Sequence, residues 1–376
     1  MAGRELREHL AYWTDDVKVS AYRGALARVV TPESVVLDLG CGTGLLGLLA
    51  CEAGAARVYA VDAGPILALA RELASANGFA DRIVHIRGWS TEIDLPEPVD
   101  VIVADQMGGL AYDAGAFACF EDAKRFLKPD GVFVPSAFEL MVTAVESAED
   151  WSVVGGWQAR GTLDSALVAR YAANTLYNVH TPAKAVLSRA AAIGHVVSGE
   201  LAPVVASCVL EIERPGVLHG LLGTFKATMA PELSITNDPV ASAPLRNRWR
   251  SFLPLSEQRV VSVGDRVVVD VDLRPRTQVL SWKVRIERSD GTLVEESHST
   301  FYGAFLSVSD MAGMTTTRPF KVAIDNKIVD AALALSEGRH TIAEVSQELA
   351  NRFPERLPTE AAARRFVTRL SDVLSL

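Results

Sequence analysis

The stretch Val35–Gly44, VVLDLGCGTG, constrains this chain more than any other. Val35–Leu39 is an apolar run of strand length, and Gly40, Gly42 and Gly44 follow at single-residue spacing. A helical pattern then covers Leu45 to Ala53. Strand, glycine turn and helix form the opening unit of a nucleotide-cofactor α/β domain. The dinucleotide fingerprint G-x-G-x-x-G fails, because position 45 is Leu. What remains is G-x-G-x-G with Asp38 just ahead of it. Glycines there let the backbone approach a ligand where a Cβ would collide.

The next turns follow the same logic. Strands are expected at Val35–Leu39, Arg57–Val61, Arg82–Ile86, Val99–Ala104 and Val132–Val134, with helices near 45–53, 64–77 and 114–127. That alternation predicts parallel βαβ units with right-handed crossovers. Asp62 ends the second strand about 20 residues past the glycines, where an acid accepts ribose hydroxyls. The third strand leads to Gly88-Trp89-Ser90-Thr91, an adenine position, and the fourth ends at Asp105, on the edge where open α/β sheets bind ligands. Trp89 reads either as an adenine-stacking ring or as a buried aromatic. Ahead of the sheet, residues 1–30 read as two helices broken at Thr14-Asp15-Asp16, with Lys18 and Tyr22 one turn apart.

Beyond Pro135 the period changes to two. Phe138, Leu140, Val142 and Ala144 alternate, and further β-like runs lie at 202–212, 217–229, 258–273, 279–288 and 292–301. These predict an antiparallel barrel or sandwich, interrupted by an alanine-rich, helical insertion at 155–190. The last fifty or so residues read as three helices, the second opened by the capping box Thr341-Ile-Ala-Glu344. At 376 residues two or three domains are expected from length, and the pattern divides the chain into four segments: helices over 1–30, a cofactor domain over 31–136, a β domain over 137–320 and a helical module over 321–376.

Net charge of −9 argues against a general nucleic-acid-binding surface. Cys41, Cys51, Cys119 and Cys208 are scattered, so neither a disulfide framework nor a metal site is expected. With no apolar stretch of spanning length, the reading is soluble and cytoplasmic.

G-x-G-x-G behind Asp38 is the pattern of S-adenosylmethionine (SAM) methyltransferases. Over residues 1–310 the chain resembles protein arginine methyltransferases. The match rests on VVLDLGCGTGLLGLLACEAGAARVYAVDAG, SANGFADRIVHIRGWSTEIDLPEPVDVIVADQMGG, AKRFLKPDGVFVPS, DDVKVSAYR, VLHGLLGTFKATMAPELSITNDP and RNRWRSFLPL. The resemblance implies an α/β fold: a Rossmann-like SAM-binding domain, an antiparallel β-barrel with a helical dimerisation arm, and a head-to-tail homodimer. The C-terminal three-helix unit resembles small winged-helix modules, with a packing appendage as the other reading.

Carried over by position, the resemblance implies that Lys18 pairs with the SAM carboxylate, where the family usually has Arg. Asp38 and Gly40 meet the methionine end, with Gly42 and Gly44 completing the turn. Asp62 holds the ribose beside Ala63, and Ser90 and Thr91 flank the adenine next to Trp89. The family holds a guanidinium with two glutamates in one loop; Asp105 and Asp113 match them, in a loop one residue shorter. Asp105 also borders the cofactor. The family's Thr-His-Trp motif reads Asn247-Arg248-Trp249. Arg248 is then either a surface residue or one that holds an anionic group. Met107, Arg248, Trp249 and His9 are the candidate substrate contacts, and the family's aromatic-rich lid ahead of the first helix has no counterpart before His9. The expectation is N-methylation of a guanidino or other nitrogen on a free amino acid, metabolite or peptide, in a bacterial biosynthetic setting. Methylation of another nucleophile and a SAM-binding regulatory protein are the alternatives.

Overall fold

The structure is a computed structural model that describes residues 2–112, 115–157, 164–305, 326–335 and 340–374. The chain divides into two compact units, residues 1–304 and 305–376.

In the first unit, helices α1 (Ala2–Trp13) and α2 (Asp16–Val29) precede a five-stranded sheet. Its strands are β1 (Val35–Leu39), β2 (Arg57–Asp62), β3 (Ile83–Arg87), β4 (Val99–Ala104) and β5 (Leu127–Val134). All pairs are parallel, in the order β3-β2-β1-β4-β5. Every residue of β1 is buried, as a central strand covered on both faces requires. The order reverses between β1 and β4, the topological switch point where such sheets open a ligand crevice. The glycine turn after β1 and Asp105 after β4 face each other there. Helix α3 (Leu45–Glu52) follows the turn, α4 (Leu67–Ala76) follows β2, and α5 (Ala116–Ala123) precedes β5.

The rest of the unit is antiparallel. One sheet runs β7 (Tyr177–Val179), β12 (Arg250–Val261), β10 (Gly216–Ala230), β6 (Ala137–Val145), β8 (Ala191–Val197), with β11 (Leu233–Thr236) beside β10. The other runs β15 (Leu293–Ser299), β14 (Val279–Glu287), β13 (Arg266–Arg274), β9 (Val204–Glu211). Two expectations change. The run 258–273 is not one strand: Asp265 Oδ2 accepts from Ser262 N at 2.9 Å and Gly264 takes φ 91°, so a turn separates β12 from β13. The segment 155–190 is helical only in part: α6 (Ala148–Gly155) ends where it begins, and α7 (Ala166–Ala172) lies within it. It then runs into β7, whose edge position on β12 draws the chain out of helix.

The second unit contains helices Asn326–Leu335, Ile342–Arg352 and Glu360–Leu374. They surround a small core with Ile328, Val345, Leu349 and Val367 buried in it. Thr341 and Glu344 exchange both bonds of the capping box.

Candidate active site

The switch-point crevice is a cavity of about 550 Å3. Its floor is the glycine turn. Gly40 and Gly42 adopt φ of 69° and 53°, a region open to glycine at little cost. A Cβ on Gly40 would collide with the Gln106 amide, and one on Gly42 with the His9 ring. Gly44, also at positive φ, caps α3 and lies outside the lining residues, so its role is to shape the turn.

Asp62 organises this floor. Its Oδ2 accepts from Gly42 N at 2.8 Å and its Oδ1 from Gly64 N at 2.7 Å. A carboxylate has lone pairs left after two such bonds, and Asp62 still borders the cavity. Ala63, Trp89 and Ser90 continue the wall; Thr91 is outside it. Trp89 is 66% exposed, so it is a rim residue and not a buried aromatic.

Asp38 is placed differently from the expectation. It does not line the cavity but is buried behind it, where its Oδ2 accepts from Gly47 N at 2.7 Å and ties β1 to α3. Its Oδ1 has no partner among the described residues. Burial, opposed by the Gly47 amide and aided by the charges of Asp62 and Asp105, pushes its pKa up to about 7.

The opposite wall is charged. Lys18 Nζ bonds Asp105 Oδ2 at 2.6 Å, and Arg248 Nη2 bonds Asp105 Oδ1. Arg248 Nη1 donates to the Met107 carbonyl at 2.5 Å. The Lys18 and Arg248 side chains are only 4% and 8% exposed. Burial pulls the Lys18 pKa down, against the attraction of Asp105. Burial opposes the Arg248 charge too, yet Asp105 and the neighbouring Tyr22 and Tyr12 leave its pKa raised. Tyr12 supplies an aromatic face 4.0 Å from Lys18 Nζ.

Three features that the sequence pattern does not single out hold this wall. The Asp15 carboxylate accepts from Lys18 N, Arg246 N and Asn247 N, joining the start of α2 to the loop that carries Arg248. Asn237, fully buried, donates to the carbonyls of Gly109 and Trp249 and accepts from Phe225 N. Trp13 Nε1 donates to Thr43 Oγ1, seating α1 on the glycine turn. Asn in a turn-rich segment and Asp at a helix start are visible signals, but their partners lie far away in sequence.

Of the expected substrate contacts, Met107, Arg248 and His9 line the cavity. Trp249 does not; it is half exposed and packs against His180, the rings tilted by 33° with centroids 3.9 Å apart. Asp113 lies outside the described residues.

The residues present suit SAM: a glycine turn whose backbone forms the cavity floor, an acid at the end of β2 and a cation at the far wall. The fold and this site resemble those of class I SAM-dependent methyltransferases of the protein arginine methyltransferase type. Residues 31–175 match the family described as "Methyltransferase domain". Histone-arginine methyltransferase CARMER of Anopheles gambiae is 42% identical over 130 residues, 34% of this chain and 21% of that protein. Ribosomal protein arginine N-methyltransferase rmt3 of Schizosaccharomyces pombe is 35% identical over 175 residues, 44% of this chain and 32% of that protein. The matches thus span well under half the length of these relatives. The same fold occurs in the Trypanosoma brucei PRMT1 enzyme–prozyme heterotetrameric complex with AdoHcy, at TM-score 0.67 and 22% identity over 77% of this chain and 97% of that one. It occurs also in Arabidopsis thaliana protein arginine methyltransferase 10, at TM-score 0.64 and 20% identity over 78% and 97%.

Proposed function

We propose that this protein transfers a methyl group from SAM to a nitrogen of a free amino acid, small metabolite or peptide. One observation carries the choice of acceptor: both oxygens of Asp105, the acid matched to guanidinium binding, are already held by the chain's own Lys18 and Arg248. A nitrogen other than guanidinium fits that wall best.

In this reading the Gly40–Gly42 backbone borders the donor, Asp62 holds its ribose, Trp89 and Ser90 border its adenine, and Lys18 pairs with its carboxylate. Asp38 acts from behind the turn, on the donor's methionine end. SAM supplies an electrophilic methyl on a sulfonium, which an aligned lone pair displaces in line. The protein's contribution is to hold the acceptor close and oriented. Asp105 keeps lone pairs with which to accept an acceptor N–H and turn the nitrogen's free pair toward the methyl. Met107 and His9 bound that space. We further propose that the protein self-associates through the partly helical segment near 155–190.

The test is SAH production with SAM and separate pools of amines, amides, guanidines, hydroxyl compounds and carboxylates. The expected outcome is SAH from an amine or amide pool. Turnover confined to guanidines would restore a guanidino acceptor, and turnover confined to hydroxyl or carboxyl compounds would replace nitrogen by oxygen. Tight SAM binding with no turnover on any pool would leave a regulatory SAM-binding protein.

A further inference from the structure

The charged wall has a feature that methyl transfer alone does not require. Asp105 is the carboxylate on the cavity wall opposite the glycine turn, and its two oxygens already receive an ammonium and a guanidinium. Asp62 is bound to two amides at the glycine floor. Asp15, whose charge also acts on Lys18, gives its oxygens to three backbone amides. Among the described residues hydrogen-bond donors, in contrast, are in excess. A guanidinium has five N–H groups, and Arg248 uses one on Asp105 and one on Met107. An ammonium has three, and Lys18 uses one on Asp105. Both side chains line the cavity while almost wholly buried, where an unmatched donor and an unmatched positive charge are costly.

We infer that Arg248 reads a carboxylate on the acceptor, and that its guanidinium occupies the place on Asp105 that an acceptor guanidinium would need. The inference rests on the methyltransferase reading above and names the acceptor class. With the donor's carboxylate on Lys18, charges alternate along the wall: Lys18, Asp105, Arg248, acceptor carboxylate. The planar fork of arginine suits a carboxylate, and its pairing with Asp105 and the Met107 carbonyl fixes its plane before the acceptor arrives. A cationic acceptor such as an alkylguanidine would meet two buried cations, with Lys18 and Arg248 already standing where its fork would pair with Asp105. Discrimination would then come from repulsion as well as attraction.

The test is calorimetric titration of the full chain saturated with SAH, using N-acetylglycine, its neutral amide and methylguanidinium. A peptide with a free C-terminus and the same peptide amidated form a second pair, separating a peptide source from a metabolite. Wild type is expected to bind the carboxylate probe and neither the amide nor methylguanidinium. Arg248→Met should weaken the carboxylate probe on the order of ten- to a hundredfold, the usual worth of a hydrogen bond to a charged group. Arg248→Ala should gain affinity for methylguanidinium, which can enter the vacated space on Asp105. SAH affinity and circular dichroism are read first for each variant. If Arg248→Ala does not fold, Arg248→Lys, which keeps the charge and loses the fork, should still weaken the carboxylate probe. The inference is overturned if methylguanidinium binds wild type as well as the carboxylate does. It is equally overturned if Arg248→Met leaves carboxylate affinity unchanged, or if no carboxylate probe binds at tens of millimolar. Failure of wild type to bind SAH is a separate result that sinks the methyltransferase reading; the same inequalities are then required of the protein alone.

Discussion

Asp38 carries a charge question that its position alone poses. Its ordinary pKa of 3.8 is pushed to about 7 by burial, so the native protein holds a proton there that the unfolded chain releases. A group whose folded pKa is raised stabilises the fold below its unfolded value, and that contribution is lost as pH rises through the folded value. Urea midpoints should therefore fall between about pH 4 and pH 7, with a loss on the order of a few kcal/mol, because a tenfold change in proton affinity is worth about 1.4 kcal/mol. Asp38→Asn should flatten this dependence; an unchanged slope in the variant would show that some other group is responsible. Next to it, Gly40 offers a sharper readout. An alanine there must hold positive φ and push its Cβ into the Gln106 amide. Gly40→Ala should weaken SAH on the order of tenfold or more at a folding cost of about 1–3 kcal/mol, measured by titration and thermal melting. The glycine turn is legible because its signal is local, with acid, glycines and spacing within ten residues; the burial of Asp38 behind the cavity is not, because it depends on packing against α3. Arg248 was only half legible. Its contact with Asp105 joins residues 143 apart, and no periodicity reports such a distance.

At the scale of elements, the parallel sheet followed directly from alternating apolar runs and helices, because a strand buried on both faces is written as an unbroken apolar stretch. The antiparallel part was read less well for physical reasons. Alanine-rich composition favours helix at 155–190, yet Tyr177–Val179 pairs with Phe252–Arg250, and tertiary pairing overrides local preference. The turn at Ser262–Asp265 hides in a valine-rich run because one side-chain bond and one glycine suffice to make it. Asn237 shows what links the two halves of this unit. Its amide bridges the loop after β4, the loop before β12 and strand β10. Asn237→Ala should leave buried partners unsatisfied, at a cost of about 2–4 kcal/mol in urea unfolding. Because Trp249 adjoins Arg248, the variant should also weaken acceptor binding more than SAH binding. Equal loss of both would mean that the cluster supports the whole cavity and not its acceptor wall.

At the scale of the whole molecule, two apolar features on the surface of the first unit bear on assembly. Leu6, Leu10 and Trp13 lie at spacings of four and three on α1 and are 50%, 60% and 37% exposed. Trp157 and Leu167, in the segment proposed to mediate self-association, are 44% and 62% exposed. Apolar side chains gathered on one face mark interaction sites more often than singly scattered ones do. Helix α1 also forms part of the cavity, through His9 and Tyr12. It is held to its own unit by the Trp13–Thr43 and Asn247–Ala11 hydrogen bonds. If a second copy covers α1, assembly and cofactor binding are coupled: what binds the folded, covered helix stabilises the closed cavity. Leu167→Asp should then shift the protein toward monomer in sedimentation equilibrium, and Leu10→Asp should do the same from the other face, since a closed two-fold dimer uses complementary patches on both copies. The monomeric variants should bind SAH several-fold more weakly, and that loss should shrink as protein concentration rises. A monomeric wild type would remove the self-association proposal. A dimer whose dissociation leaves SAH affinity untouched would instead show that α1 closes the cavity without a partner.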